Sequence, residues 1–332
     1  MRATIILRRT LLALLAFALV TAGIVVLGNT FRFDQRAVEI PFGDGRLSGV
    51  LALPRDREAV GVVLVVHGDA AVDATHDGLY APWFEGAADA GYATLSWSKP
   101  GVGGSTGDWL SQTMADRAAE VGAALDWARG RPDVPTGRVV LWGASQAGWV
   151  LPKVVAARTD VDAVVAVSPA VNWLRQGRHH LLSGLADASP QERADAVARS
   201  DRVRALLERG APHSEHAAAD PDPMTPERWG FVSRNFRSDA VDDLRAAATR
   251  HVPVHLMLAE HDRNVDAAET ERAYREAFGA DLTVTRHDAA HSMARPLVED
   301  SDAVGLAVAV LWPRALLAPT AVDAHRDFLT RR

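Results

Sequence analysis

The sequence predicts a doubly wound, mostly parallel α/β sheet carrying a helical insertion and preceded by an apolar N-terminal helix. Two observations predict the sheet. Near-continuous apolar runs such as "AVGVVLVVHG" (residues 59–68) suit strands covered on both faces. Such runs alternate with helical patterns from residue 59 to residue 170. A third observation predicts the insertion: from residue 171 to residue 250 the strand signal stops and a polar, helical stretch takes over.

The elements follow in order. "MRATIILRRTLLALLAFALVTAGIVVLGNTFR" has Arg2, Arg8 and Arg9 and then no charge from Thr10 to Thr30. A membrane span needs about 20 apolar residues, whereas the apolar part of a signal peptide is usually about 7–15 long. An uncleaved anchor (residues 1–31) is therefore favoured over a signal cleaved after Ala22, which would leave a secreted protein. The leading arginines place the N-terminus in the cytoplasm and the domain outside. "RAVEIPF" and "GRLSGVLALP" read as strands joined at Gly43-Asp44-Gly45. "APWFEGAADAGY" reads as a helix stopped at Gly91, and "ATLSWS" as a strand. "QTMADRAAEVGAALDWARGR" is amphipathic, "GRVVLWGAS" is a strand, "QAGWVLPKVVAAR" a helix with Pro152 in its early turns, and "VDAVVAVSPA" a strand. Beyond the insertion come "VPVHLMLAE", "DAAETERAYREAF" and "LTVTRHDAAH". The late run "AVGLAVAVLW" (residues 303–312) is too short to span a bilayer and reads as a buried helix, with an apolar patch on the membrane as the lesser alternative.

The sheet core is thus expected over residues 36–170 and 251–332, with a helical cap over 171–250. A chain of 332 residues, 48% of them hydrophobic, can bury one large domain of this kind. The net charge of -6 and the lack of a basic block argue against a nucleic-acid partner. Cysteine is absent, which excludes disulfides, a cysteine nucleophile and thiolate metal sites. His179-His180 and the "HSEH" at residues 213–216 lack a third ligand at useful spacing, so no metal is expected.

Catalytic chemistry concentrates at strand ends. In "VVLWGASQAGWVLP", Ser145 lies between a strand and a helix, flanked two residues either side by Gly143 and Ala147. A G-x-S-x-G turn holds a nucleophilic serine in this way, and alanine is a small enough substitute for the second glycine. A serine capping an ordinary helix is the competing reading. A serine hydroxyl needs a histidine to take its proton and an acid to orient that histidine. Asp262 in "AEHDRNVD" and His291 in "AAHSM" follow two successive strands beyond the insertion, in the chain order Ser, Asp, His. Asp266 is a rival acid that looks more like a helix N-cap. The backbone N–H groups of Asp69, after "VVHG", and of Gln146, after the serine, are the expected oxyanion donors. His67 reads as structural. The glycine-rich "SKPGVGGSTGDW" lacks the pattern of a phosphate-binding loop. Trp149, Trp173 and Trp229 are candidates for an apolar substrate pocket under the cap.

On "VLVVHG", "GYATLSWSKPGVGGSTGDW", "GASQAGW", "AEHDRNVD" and "AAHSM", most of the chain from Arg36 to its end resembles the α/β-hydrolase superfamily. Within it, the chain is similar to serine-aminopeptidase-like and acyl-thioesterase-like esterases with a helical cap. The resemblance implies a serine hydrolase without metal or cofactor, with Ser145 as nucleophile, Asp262 as acid and His291 as base. Two positions depart from the pattern: Ala147, and W-S-K-P-G where many relatives have Asp and Arg before the glycine. The expected substrate is a small-molecule acyl ester, with thioesters and small amides also open. An acyltransferase on the same fold, and an inactive surface binding module, are the alternatives.

Overall fold

The computed structural model describes the backbone of residues 2–332 and the side chains of residues 10–332. Met1 and the side chains of Arg2, Arg8 and Arg9, on which the expected orientation rests, lie outside the described residues.

The chain opens with α1 (Arg2–Asn29) and a hairpin, β1 (Phe33–Phe42) and β2 (Gly45–Pro54). There follow β3 (Gly61–Val66), α2 (Ala81–Asp89), β4 (Tyr92–Trp97), α3 (Met114–Arg129), β5 (Val139–Ala144), α4 (Leu151–Ala157) and β6 (Ala163–Val167). Five helices come next: α5 (Trp173–Ser183), α6 (Pro190–Glu208), α7 (His213–Ala219), α8 (Pro226–Asn235) and α9 (Val241–Ala248). The chain then runs through β7 (Val254–His261), α10 (Ala267–Phe278), β8 (Leu282–Ala290), α11 (Pro296–Glu299), α12 (Asp302–Leu311) and α13 (Pro319–Thr330).

Among the described residues the eight strands form one sheet in the order β1-β2-β4-β3-β5-β6-β7-β8. From β4 to β8 every pair is parallel, and the β1–β2 hairpin adds the antiparallel edge. The apolar runs become strands because both faces are covered: every residue of β3, β4 and β6 is buried. One core, on the α3, α4 and α10 side, contains Leu64, Leu141 and Leu256, and the other contains Val63, Trp83 and Phe328.

Pro152 occupies the first turn of α4, where a missing N–H costs nothing. The preceding Ser145–Trp149 stretch is a tighter 3-10 turn rather than part of that helix. Leu207, Trp229, Phe231 and Phe236, from the helices between β6 and β7, join the same core as the sheet. Within this segment α9 packs against α4 and α10, so it is a crossover helix on the flank of the sheet. The outlying helices are therefore α5 to α8. One expectation is overturned. The run at residues 303–312 is not a buried helix, because α12 packs along the base of α1 and none of its residues is buried.

Candidate functional site

Strand ends bring the predicted residues together. Ser145 directly follows β5 with φ 54°, a left-handed conformation that costs a non-glycine residue about 1–3 kcal/mol. Ala70, Ser168 and Met293, at the ends of β3 and β6 and beside His291, also have positive φ. The small residues around the serine have specific causes. A Cβ on Gly143 would sit 2.7 Å from the Ala147 methyl, so one of the two positions must be glycine and the other can be alanine. A Cβ on Gly148 would come within 2.2 Å of the Ala170 carbonyl oxygen, so this turn packs directly on the loop after β6.

Asp262 follows β7 and accepts hydrogen bonds from the backbone N–H groups of Asn264 and Val265, both at 2.8 Å. His291 follows β8, and its Nδ1 lies 2.9 and 2.8 Å from the two carboxylate oxygens of Asp262. A carboxylate can only accept, so this Nδ1 carries the proton and Nε2 is left free to act as a base. The Asp262 side chain is only 2% exposed. Burial alone would raise its pKa, but His291 and the two backbone N–H groups outweigh burial and hold it below the usual carboxylate value. Asp266 is instead the N-cap of α10, accepting from the N–H groups of Ala268 and Glu269.

Ser145 and His291 line one apolar cavity of about 630 Å³, a size common for small-molecule sites. Among the described residues no hydrogen bond joins the two side chains; in free enzymes this contact is often long and tightens with substrate. Leu79, Tyr80, Trp83, Trp142, Leu316 and Leu317 supply much of the apolar wall. A second cavity of about 300 Å³, which Ser145 also lines, is bordered by Trp149, Trp173, Gln176 and His180. Trp149 and Trp173 stack with centroids 4.9 Å apart. Trp229 lines neither cavity: it is buried against His216 and donates to the Ala211 carbonyl.

Asp69 and Gln146 are joined by their side chains, Gln146 Nε2 donating to Asp69 Oδ1 at 3.1 Å. A Cβ on Gly68 would lie 3.3 Å from the Ser145 Cβ, so the loop after β3 runs against the Ser145 turn. Gln146 lies in the first turn of the 3-10 segment, where backbone N–H groups lack intrahelical partners. Two arginines hold this pair. Arg228, on α8, makes a two-pronged contact to Asp69 at 3.0 and 2.5 Å. Arg117, on α3 and buried, donates to Gln146 Oε1 at 2.6 Å and to the His67 carbonyl at 2.7 Å. Burial would raise the Asp69 pKa, but Arg228 brings it below its ordinary value. Arg228 and Asp69 line both cavities, so their ion pair stands between them. Neither arginine carries a local motif, and sequence reasoning missed both.

The other singled-out residues have structural partners. His67 Nε2 donates to the Trp97 carbonyl, and burial together with the charges of Lys99 and Arg117 pushes its pKa down to about 3. His179 and His180 hydrogen-bond the Asp262 and Arg263 carbonyls. His213 and His216 hydrogen-bond the carbonyl and N–H of Met224. Lys99 in W-S-K-P-G is buried, and its Nζ lies 4.6 Å from the centre of the Trp109 ring with no hydrogen-bond partner among the described residues. Burial, then the charge of Arg117, lowers its pKa well below that of a free lysine.

Comparison with known proteins follows this geometry. The family described as serine aminopeptidase, S33, matches residues 57–294, more than two thirds of the chain. An uncharacterized protein of Rickettsia prowazekii (strain Madrid E) is 27% identical over 134 residues, 40% of this chain and 55% of the relative. The matched stretch thus spans about half the length of that curated relative. An esterase of Pyrococcus furiosus superposes with TM-score 0.57 at 17% identity, over 84% of this chain and 92% of the other. The esterase domain of a Rhodothermus marinus protein does so with TM-score 0.53 at 16% identity, over 90% of this chain and 98% of the other. At these identities the likeness is one of fold.

Proposed function

The chain belongs to the serine aminopeptidase S33 family, a family of α/β-hydrolases, and from that premise we propose that it cleaves a carboxylic ester through an acyl-enzyme on Ser145. The observation that carries this reading is the Asp262–His291 pair opening onto the same cavity as a serine in a strained turn. His291 Nε2 takes the Ser145 proton as Oγ attacks the ester carbonyl. Asp262 keeps the proton on Nδ1 and stabilises the imidazolium that forms. The backbone N–H groups of Asp69 and Gln146 donate to the developing oxyanion. Collapse of the tetrahedral intermediate expels the alcohol, which takes the proton back from His291. Water then repeats the sequence on the acyl-enzyme and releases the acid.

In the same reading the large cavity takes the apolar acyl chain. Trp149 and Trp173 border the smaller cavity, which takes the alcohol, and the helices α5 to α8 act as a cap. The apolar run Thr10–Asn29 acts as a retained anchor, with the catalytic domain outside the cytoplasm. What supports retention is that its last turn is built into the domain: Arg314 donates to the carbonyls of Leu27, Gly28 and Thr30 and pairs with buried Glu85.

The test is turnover of a soluble short-chain ester by the full chain and by Ser145→Ala. The reading requires the variant to lose at least about 10⁴-fold in kcat. A variant with wild-type turnover would overturn it.

A further inference from the structure

Several features outside the catalytic groups are unexplained by ester cleavage, and the most exposed of them is α12. Its sequence, DAVGLAVAVL, is apolar after the first residue. Ala303, Leu306, Ala307, Val310 and Leu311 are all exposed, at the spacing of one helical face. Leu306 is 68% exposed, and Leu297 on the neighbouring α11 equally so. A soluble surface rarely leaves such a stripe bare unless something covers it.

The position of α12 says what covers it. The run Thr10–Asn29 is 20 residues long, about the 30 Å of a bilayer's hydrocarbon core. The end of this run is fixed to α12 by backbone contact. A Cβ on Gly28 would lie 2.4 Å from the Leu311 carbonyl oxygen, and the Asn29 side-chain Nδ2 donates to the Val310 carbonyl at 3.0 Å. Where α1 leaves the bilayer, α12 is therefore at the bilayer surface. Trp312, 41% exposed, sits at that junction, where tryptophans favour the interface. The other end of the argument is the site itself. Ala294, Val298, Glu299, Leu316 and Leu317, on either side of α12 in the chain, form one wall of the cavity that Ser145 lines.

We propose that α12 rests in the surface of the bilayer that α1 enters, so that this wall of the Ser145 cavity borders lipid, and that the ester cleaved is one resident in that bilayer. The substrate class is an acyl ester whose chain slides from the membrane along α11 and α12 into the apolar cavity. The substrate part of this inference rests on Ser145 being the nucleophile, and the docking part rests on α1 being a retained membrane anchor.

The absence of cysteine makes the test clean, since any introduced thiol is unique. The full chain is reconstituted in phosphatidylcholine vesicles with a polarity-sensitive fluorophore on Leu306→Cys, Val310→Cys or, as control, Asp242→Cys, whose side chain is almost fully exposed on α9. Docking predicts blue-shifted emission at positions 306 and 310, quenched by lipids with a nitroxide near the headgroup, and water-like emission at 242. Water-like emission at all three overturns docking. Blue-shifted emission that lipid nitroxides fail to quench also overturns it, and assigns the face to a second copy or another protein. In a second arm, Leu306→Glu with Val310→Glu is assayed on a soluble short-chain ester and on a long-chain ester embedded in vesicles. The expected result is a change under twofold on the first and a loss of at least tenfold on the second. Equal effects on both, or none on either, overturn the substrate class. If the wild type reacts at Ser145 with a serine probe yet cleaves neither ester, the substrate class fails and the nucleophile stands. If Ser145 does not react, the hydrolase reading fails while the fluorescence arm still decides docking.

Discussion

On the sheet side of Ser145, the functional groups hang from strand ends fixed by buried packing and backbone hydrogen bonds; on the side of α5 to α8, the links near the serine are largely polar side chains. Asp262 is held by two backbone N–H groups and His291, and the Ser145 turn is wedged against Ala170 without room for a methyl. Across the site, Arg228 reaches Asp69, and His179 and His180 touch the acid loop. A buried backbone-supported contact has no substitute in water, whereas a part-exposed ion pair competes with solvent and salt. Changes on the sheet side should abolish chemistry or folding, and changes on the helical side should tune rate.

The largest expected effect is on the acid. Asp262→Asn leaves the geometry but favours the wrong histidine tautomer, and kcat should fall by roughly 10⁴-fold in steady-state assays at neutral pH. Next comes Gly148→Ala, which forces a methyl into the Ala170 backbone. Chemical denaturation should show a loss of about 1–3 kcal/mol, with activity falling in proportion to unfolded protein. On the helical side, Arg228→Gln frees Asp69 and loosens the loop after β3. With Asp69 as the proposed oxyanion donor, its displacement can cost up to about 100-fold, so kcat should fall within that limit while KM changes little and Arg228→Lys recovers part of the rate. A fall confined to KM would mean that Arg228 binds substrate rather than positioning the loop.

Acid tests the buried scaffold independently of the site. Burial first, then neighbouring charge, pushes His255 down to about 4 and His67 and His325 down to about 3. Each is neutral in the fold, while the unfolded chain takes up a proton below about 6.5. The unfolded state then binds more protons, so stability falls as pH drops from about 6.5 to 4, by up to about 1.4 kcal/mol per pH unit for each histidine. Denaturant midpoints across that range should show the decline, and flat midpoints would mean that these histidines are solvated. The smallest effect is at Lys99. Its Nζ is buried without a hydrogen-bond partner among the described residues, so Lys99→Met should leave the thermal midpoint unchanged or raise it by a few degrees.

The same contrast explains what the sequence could tell. The strands were legible because full burial on both faces writes an apolar run, as in "GVVLVV". Ser145, Asp262 and His291 were legible as candidates because chain order and strand ends are local features. Arg228 was not: its partner lies 159 positions away, and nothing local separates it from the other basic residues, 36 Lys and Arg in all. The exposure of α12 was hidden for a different reason. An apolar run of ten residues looks the same whether it is buried or exposed, and only the packing of the folded chain shows that none of its residues is buried. Trp229 lies close to the motifs in sequence, but its ring points into the helices, against His216.

The most direct measurement is fluorophosphonate labelling of the full chain, with the adduct located by peptide mass spectrometry. The account predicts one adduct, on Ser145, formed slowly or not at all in Asp262→Asn and absent in Ser145→Ala. An unlabelled Ser145 in folded protein, or an adduct on another serine that accompanies ester turnover, would contradict it.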